Sequence, residues 1–170
     1  DVLPLHPDLK EAAILNVGKP EEIEPFDRKM KKYTSFARFQ LRKDLPEAEQ
    51  QKLRDSLAAY RRVIVTVTEQ RLAPYQSFFA KFAPESPVIY VFYTPAKSML
   101  QIQRAVSAAE AVVLAHASRD DVQERVADLL FGKATADGRL SASIGGLFPT
   151  GSGVTITPHT PFHFVPCLLY

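Results

Sequence analysis

Residues 62–68 read Arg-Val-Ile-Val-Thr-Val-Thr, residues 88–93 read Val-Ile-Tyr-Val-Phe-Tyr, and residues 110–116 read Glu-Ala-Val-Val-Leu-Ala-His. These runs are dense in β-branched and aromatic side chains, with few polar interruptions. A strand that is apolar on both of its faces must be covered on both faces, which is the property of a parallel sheet between helix layers. Working outward, Ala12 to Val17 is a further run of this kind. Phe36 to Leu41 differs: it alternates as Phe-Ala-Arg-Phe-Gln-Leu, so it is expected at a sheet edge with one wetter face.

The segments between the runs carry helix signals. Pro25 is placed to open a first helix, with Phe26, Met30 and Tyr33 on one side; its charges run Glu21, Glu22, Glu24, Asp27 and then Arg28, Lys29, Lys31, Lys32. Acid first and base last suits the helix dipole, and such mixing reads as a solvated face. Asp44-Leu45-Pro46-Glu47 resembles a capping box ahead of Leu53, Leu57 and Tyr60. Tyr75, Phe78, Phe79 and Phe82 form an i, i+3, i+4, i+7 stripe. Aromatics can stack on sugars or bases, but at this spacing behind a buried strand they read as core. Thr94-Pro95 is expected to cap a fourth helix with Met99, Ile102 and Val106 inward. Ser118 to Asp121 is expected to cap a fifth, with Val122, Val126, Leu129 and Leu130 inward. Five βα units with right-handed crossovers give a three-layer α/β/α sandwich around a mostly parallel, doubly wound sheet of five or six strands. Arg139 to Ile144 is a candidate sixth strand.

Size and composition bound the function. The chain has 170 residues, 46% hydrophobic and 24% charged. One domain of that size buries about 70% of its unfolded surface, and a (β/α)₈ barrel, at about 250 residues, does not fit. The 21 basic and 19 acidic side chains leave a net charge of +2, too balanced for nucleic-acid binding driven by electrostatics. Cys167 is the single cysteine, which excludes an internal disulfide and a cysteine-based zinc site. No apolar run approaches the ~18 residues of a membrane span. The first residues, Asp-Val-Leu-Pro-Leu-His-Pro-Asp, have neither the basic nor the apolar region of a signal peptide and begin without methionine, so the chain reads as a processed or excised piece of something longer.

Ligands of open α/β sheets sit beyond the carboxyl ends of the strands. The expected loops there are Asn16 to Lys19, Thr68 to Arg71, Thr94 to Pro95 and Ala117 to Arg119. Asn16-Val17-Gly18-Lys19-Pro20 has neither the phosphate-loop nor the dinucleotide glycine pattern, and no nucleotide or other cofactor is expected. Glu69 stands where an acid/base would, but acid/base work needs a second group; beside Arg71 it reads first as a carboxylate at a helix N-terminus. A phosphoacceptor site is missing its acidic pair, and no Gly-x-Ser-x-Gly elbow exists. His159 and His163 are four apart but surrounded by Pro158, Pro161 and Pro166, which argues against a metal site on a helix. His116, ending a buried strand, reads as a hydrogen-bonded edge residue.

The C-terminal third adds a motif. Val126-Ala-Asp-Leu-Leu-Phe131-Gly132-Lys133-Ala-Thr-Ala136-Asp137-Gly138-Arg139-Leu140-Ser-Ala-Ser-Ile144 resembles a conserved stretch of the C-terminal domain of glycoside hydrolase family 3, and Gly145 to Val154 resembles the segment that follows it there. Phe92-Tyr93-Thr94-Pro95 is similar to that family's strand-four turn. The chain departs at Ala136, where the family has proline, at Ser141-Ala142 in place of Pro-Val, and at Thr94. The structural roles are readable without the family. Gly132 permits a left-handed helix stop, Asp137-Gly138 a tight turn, and Leu140 and Ile144 can point into the core.

The resemblance implies a retaining β-glycosidase, of β-glucosidase or β-N-acetylglucosaminidase type, whose aspartate nucleophile lies on an N-terminal barrel domain of the same polypeptide. Retention needs two catalytic groups about 5 Å apart. Some members draw the acid/base glutamate from the C-terminal domain; the β-N-acetylglucosaminidase branch places it on the barrel. Glu69 lacks the surroundings of the glucosidase loop, so no catalytic residue is assigned, and the short loops favour the second branch. Residues 1–154 would then be an accessory domain. Lys19, Glu69, Arg71 and Arg119 would be contacts to the barrel or to a β-linked sugar, and residues 155–170 an extended tail or a linker to a following domain. Resemblance to bacterial envelope enzymes implies a periplasmic or secreted setting, with the cytoplasm as the other expectation. The rival from another class is a free-standing, flavodoxin-like module for a small anionic ligand.

Overall fold

The computed structural model describes residues 12–33, 35–115 and 118–131, together with the short strands at Ala136–Asp137, Thr155–Ile156 and Pro166–Leu168. Five strands alternate with five helices: β1 (Ala12–Val17), α1 (Glu24–Met30), β2 (Phe36–Leu41), α2 (Glu47–Ala58), β3 (Arg62–Val67), α3 (Gln76–Ala80), β4 (Val88–Phe92), α4 (Gln103–Ser107), β5 (Ala111–Leu114) and α5 (Asp120–Leu130). Short 3₁₀ turns lead into α1, α3 and α4. β6 (Ala136–Asp137) and β7 (Thr155–Ile156) form an antiparallel pair, and β8 (Pro166–Leu168) follows. The main sheet has the order β2-β1-β3-β4-β5-β8, and every pairing in it is parallel.

The expected sandwich is therefore present. β1, β3, β4 and β5 are interior to the sheet and buried almost throughout, and β2 lies at the edge with five of its six residues only partly buried. Pro166–Leu168, within the stretch read as a tail, pairs with β5. The Arg139 to Ile144 stretch, with Gly132, Lys133, Gly138, Arg139 and Leu140 of the motif, lies outside the described residues, as do His116, His159 and His163.

Side chains on opposite faces of the strands feed two cores. One joins Leu15, Val65, Tyr90 and Val112 to Leu57 of α2 and to the aromatic stripe Tyr75, Phe78, Phe79 and Phe82. The other joins Ile14, Ile64, Ile89 and Val113 to Phe26 and Met30 of α1 and to Val122, Val126 and Leu130 of α5. Each fully buried aliphatic or aromatic side chain contributes roughly 1.5–3 kcal/mol, so the strand interiors dominate stability. α1 and α5 are locked by Gln123, which is buried in the second core. Its Oε1 accepts the Phe26 N–H at 3.2 Å, and its Nε2 donates to the Ser118 carbonyl at 2.7 Å and the Glu22 carbonyl at 2.6 Å.

One expected cap is replaced and one settles on its proline. Asp44 does not cap α2: the N-cap is Pro46, whose carbonyl accepts the Gln50 N–H at 2.8 Å, and Glu47 reaches forward to Arg54 at 2.8 Å and Lys81 at 2.9 Å. Proline already holds the φ an N-cap needs, so the helix starts there. The expected Thr94-Pro95 cap falls on Pro95, and the Thr94 hydroxyl is buried with no hydrogen-bond partner among the described residues. No helix among the described residues is long and apolar enough to cross a membrane.

Candidate functional site

The strand order reverses between β1 and β3, because the chain leaves β1 toward β2 on one side and returns to β3 on the other. Doubly wound sheets bind ligands beyond the strand ends at such a point. Here the floor of that region is a polar row. Asn16, Gln40 and Thr66 are each the second-last residue of their strand, and the register sets them side by side, Asn16 opposite both Gln40 and Thr66. Asn16 is fully buried; its Nδ2 donates to Gln40 Oε1 at 3.0 Å, and its Oδ1 accepts the Thr66 hydroxyl at 3.1 Å. A buried amide satisfied this way holds three strand ends in one register.

Above this row the ends of β1 and β3 are joined. The Val17 carbonyl accepts the N–H groups of Thr68 at 3.0 Å and Glu69 at 3.3 Å. Gly18 then turns with φ 134°, and a Cβ there would stand 2.0 Å from Thr68 Oγ1. Only glycine allows both the backbone angle and the approach. The Gly18 carbonyl accepts the side-chain amides of Gln40 and Asn16.

The four candidates are distributed around this floor. Glu69 is the best connected: its Oε1 accepts the Arg71 N–H at 3.1 Å, and its Oε2 lies 3.8 Å from Lys43 Nζ. Lys43 comes from the β2–α2 loop, which borders an open cavity of about 430 Å³ lined by Arg42, Lys43, Asp44, Leu45, Pro46 and Glu49. Burial pushes the Tyr75 hydroxyl up, and the charges of Glu69 and Asp44 push it further. Arg71 itself is exposed. Lys19 is exposed on the β1–α1 turn, where its N–H donates to Glu22 Oε1 at 3.2 Å. Arg119 is the N-cap residue of α5 and pairs with Asp121 at 3.1 Å. The structure thus unites Glu69 with the Arg71 backbone and with Lys43, while the contacts of Lys19 and Arg119 are local.

Two further groups lie at the end of β4. Tyr93 and Thr94 are 3% and 2% exposed, and among the described residues neither hydroxyl has a hydrogen-bond partner. Burial drives the Tyr93 phenol far above its ordinary range, and the charge of Asp27 adds to this. At the other end of the site's frame, Phe131 closes α5. It is buried and stacked on Tyr33, with ring centroids 4.7 Å apart; Tyr33 donates to Asp128, which also pairs with Lys29 at 3.5 Å. Among the described residues no three His, Cys, Asp or Glu side chains converge as metal ligands would.

Sequence reasoning named Glu69 but missed Lys43 and the polar row. The row had a signal: β1, β2 and β3 each carry one amide or hydroxyl residue at the penultimate position. Lys43 had none, because its partner lies on another strand-end loop. The chain matches no family model and no curated protein.

Proposed function

We propose that this chain is the C-terminal α/β domain of a family 3 β-glycosidase, of β-N-acetylglucosaminidase or β-glucosidase type. It packs on a catalytic barrel domain of the same polypeptide, with its strand-end loops facing the barrel and the β-linked sugar. It is an accessory domain without a catalytic set of its own, and the envelope compartment of bacteria is its setting. The observation that carries this is the junction at Phe131. The helix that precedes the family-like Phe-Gly stretch ends in the hydrophobic core of a parallel α/β sandwich, the architecture that stretch implies. Support also comes from Glu69: both its oxygens are engaged, by Lys43 and by the Arg71 N–H, as befits a loop-bracing carboxylate.

Hydrolysis of chromogenic β-glucosides and β-N-acetylglucosaminides tests this. The barrel-bearing parent is expected to turn over one of them, and the isolated chain neither, because retention requires two groups about 5 Å apart across the bond. Turnover by the isolated chain that disappears in Glu69→Gln would overturn the proposal. A free-standing anion-binding module is the second reading, favoured by Arg42 and Lys43 beside the 430 Å³ cavity. Saturable heat on titrating the isolated chain with inorganic phosphate, lost in an Arg42→Ala, Lys43→Ala double variant, would decide for it.

A further inference from the structure

β2 ends the sheet, joined among the described residues to β1 alone. The backbone donors and acceptors of a sheet's outer edge are open to a further strand. Beside that edge, α1 and the turn before it present Glu21, Glu24, Arg28 and Lys31, all exposed and spaced to share one face. With Asp27 and Arg38 they line an open groove of about 660 Å³. At its floor Arg38 grips Asp27 through two contacts, at 3.0 and 3.2 Å. That pair neutralises itself, so the uncompensated charge sits at the two ends of the groove, acidic toward the start of α1 and basic toward its end.

We infer that this face docks a second copy of the chain about a two-fold axis. The axis runs perpendicular to the sheet near Arg38, which lies near the middle of β2. Such an axis sets β2 antiparallel to β2 and continues the sheet. It keeps both α1 helices on the same side and reverses one against the other. Glu21 and Glu24 of one copy then meet Arg28 and Lys31 of the other, twice. An isologous interface requires a patch complementary to its own reversal. A row that is acidic in its first half and basic in its second meets that requirement, and a row of one sign would not. The antiparallel helix dipoles act in the same direction. This argues for a second copy over an unrelated partner. The groove adjoins the β1–α1 turn at Pro20, but the proposed contacts fall on Glu21, α1 and β2, so its failure would leave the proposed function standing.

Sedimentation equilibrium of the full 170-residue chain tests this. A dimer is expected at low salt, weakening as salt screens the exposed charges. Glu21→Lys with Glu24→Lys makes every cross-axis contact basic against basic, and Arg28→Glu with Lys31→Glu makes every one acidic against acidic. Each double variant alone is expected to raise the dimer Kd by about 100-fold. An equimolar mixture restores opposite charges at both ends and is expected to form a heterodimer within about tenfold of the unmodified affinity. Should a reversal unfold α1, the neutral pair Glu21→Gln, Glu24→Gln reads the same contact, with a rise of about tenfold. A wild-type chain that stays monomeric, a dimer indifferent to these changes, or folded variants whose mixture stays monomeric would each overturn the inference.

Discussion

Replacing Gly18 with alanine is expected to lower stability by about 3 kcal/mol, through two separable effects. The first is conformational. Gly18 has φ 134°, which an L side chain rarely adopts, at a cost of roughly 1–3 kcal/mol. The second is steric. The new Cβ would lie 2.0 Å from Thr68 Oγ1, 3.2 Å from Thr68 Cβ and 3.3 Å from the Glu69 nitrogen. The Thr68 hydroxyl must therefore move by more than an ångström and the β3 loop by a few tenths, which costs about 1–2 kcal/mol by the measure of overpacked sites. Thr68→Ala removes the nearest atom but leaves the backbone angle, so the double variant should recover about 1 kcal/mol relative to additivity. Urea denaturation of the four proteins measures the cycle. A Gly18→Ala chain within about 0.5 kcal/mol of the parent, the ordinary range of an inert surface change, would refute the close packing of these two loops. So would strict additivity. The loops concerned carry Lys19 and Glu69, so the same substitution is also expected to disturb the Lys43–Glu69 pairing.

The buried hydroxyls at the end of β4 have no partner among the described residues, so Thr94→Val and Tyr93→Phe are each expected to stabilise the chain, by about 1 kcal/mol; a lower melting temperature in either would mean that its hydroxyl is bonded in solution. Burial, and then the hydrogen bond and charge of Asp128, push the Tyr33 phenol from 10.0 to about 12. The folded state thus holds a proton that the unfolded state releases first, so this contribution is complete below pH 10 and is lost as the pH rises toward about 12. The stability difference between the parent and Tyr33→Phe should shrink over that window. A difference that does not change with pH would show that burial and Asp128 together do not hold the Tyr33 proton.

The sheet was legible because its information is local. Val63 to Val67 and Val88 to Phe92 have no polar face to expose, so each had to lie inside a covered sheet, and the alternation in Phe36 to Leu41 had to put β2 at an edge. The helix faces followed from spacing in the same way, including all four aromatics from Tyr75 to Phe82. What escaped was set by contacts distant in sequence. Gln123 looks like any polar residue of an amphipathic helix, yet it is buried because it bonds the backbone of Phe26, 97 positions away. Asp44 had the spacing of a cap, but the neighbouring proline took the position. Glu69 was visible as a strand-end carboxylate, while its partner Lys43 belongs to a loop that no local pattern ties to β3. The polar row under the site was within reach, since Asn16, Gln40 and Thr66 interrupt three strands at the same distance from their ends; recognising it needed the register.

Amide hydrogen exchange, compared between the isolated chain and the barrel-bearing parent enzyme, tests the central claim most directly. If this domain docks through its strand-end loops, the amides at 18–19, 42–45 and 68–71 should exchange more slowly in the parent, while those of β2 and the exposed side of α1 keep their rates at a matched dimer fraction. Equal rates at the strand-end loops in both proteins, or a parent polypeptide with no barrel, would contradict it.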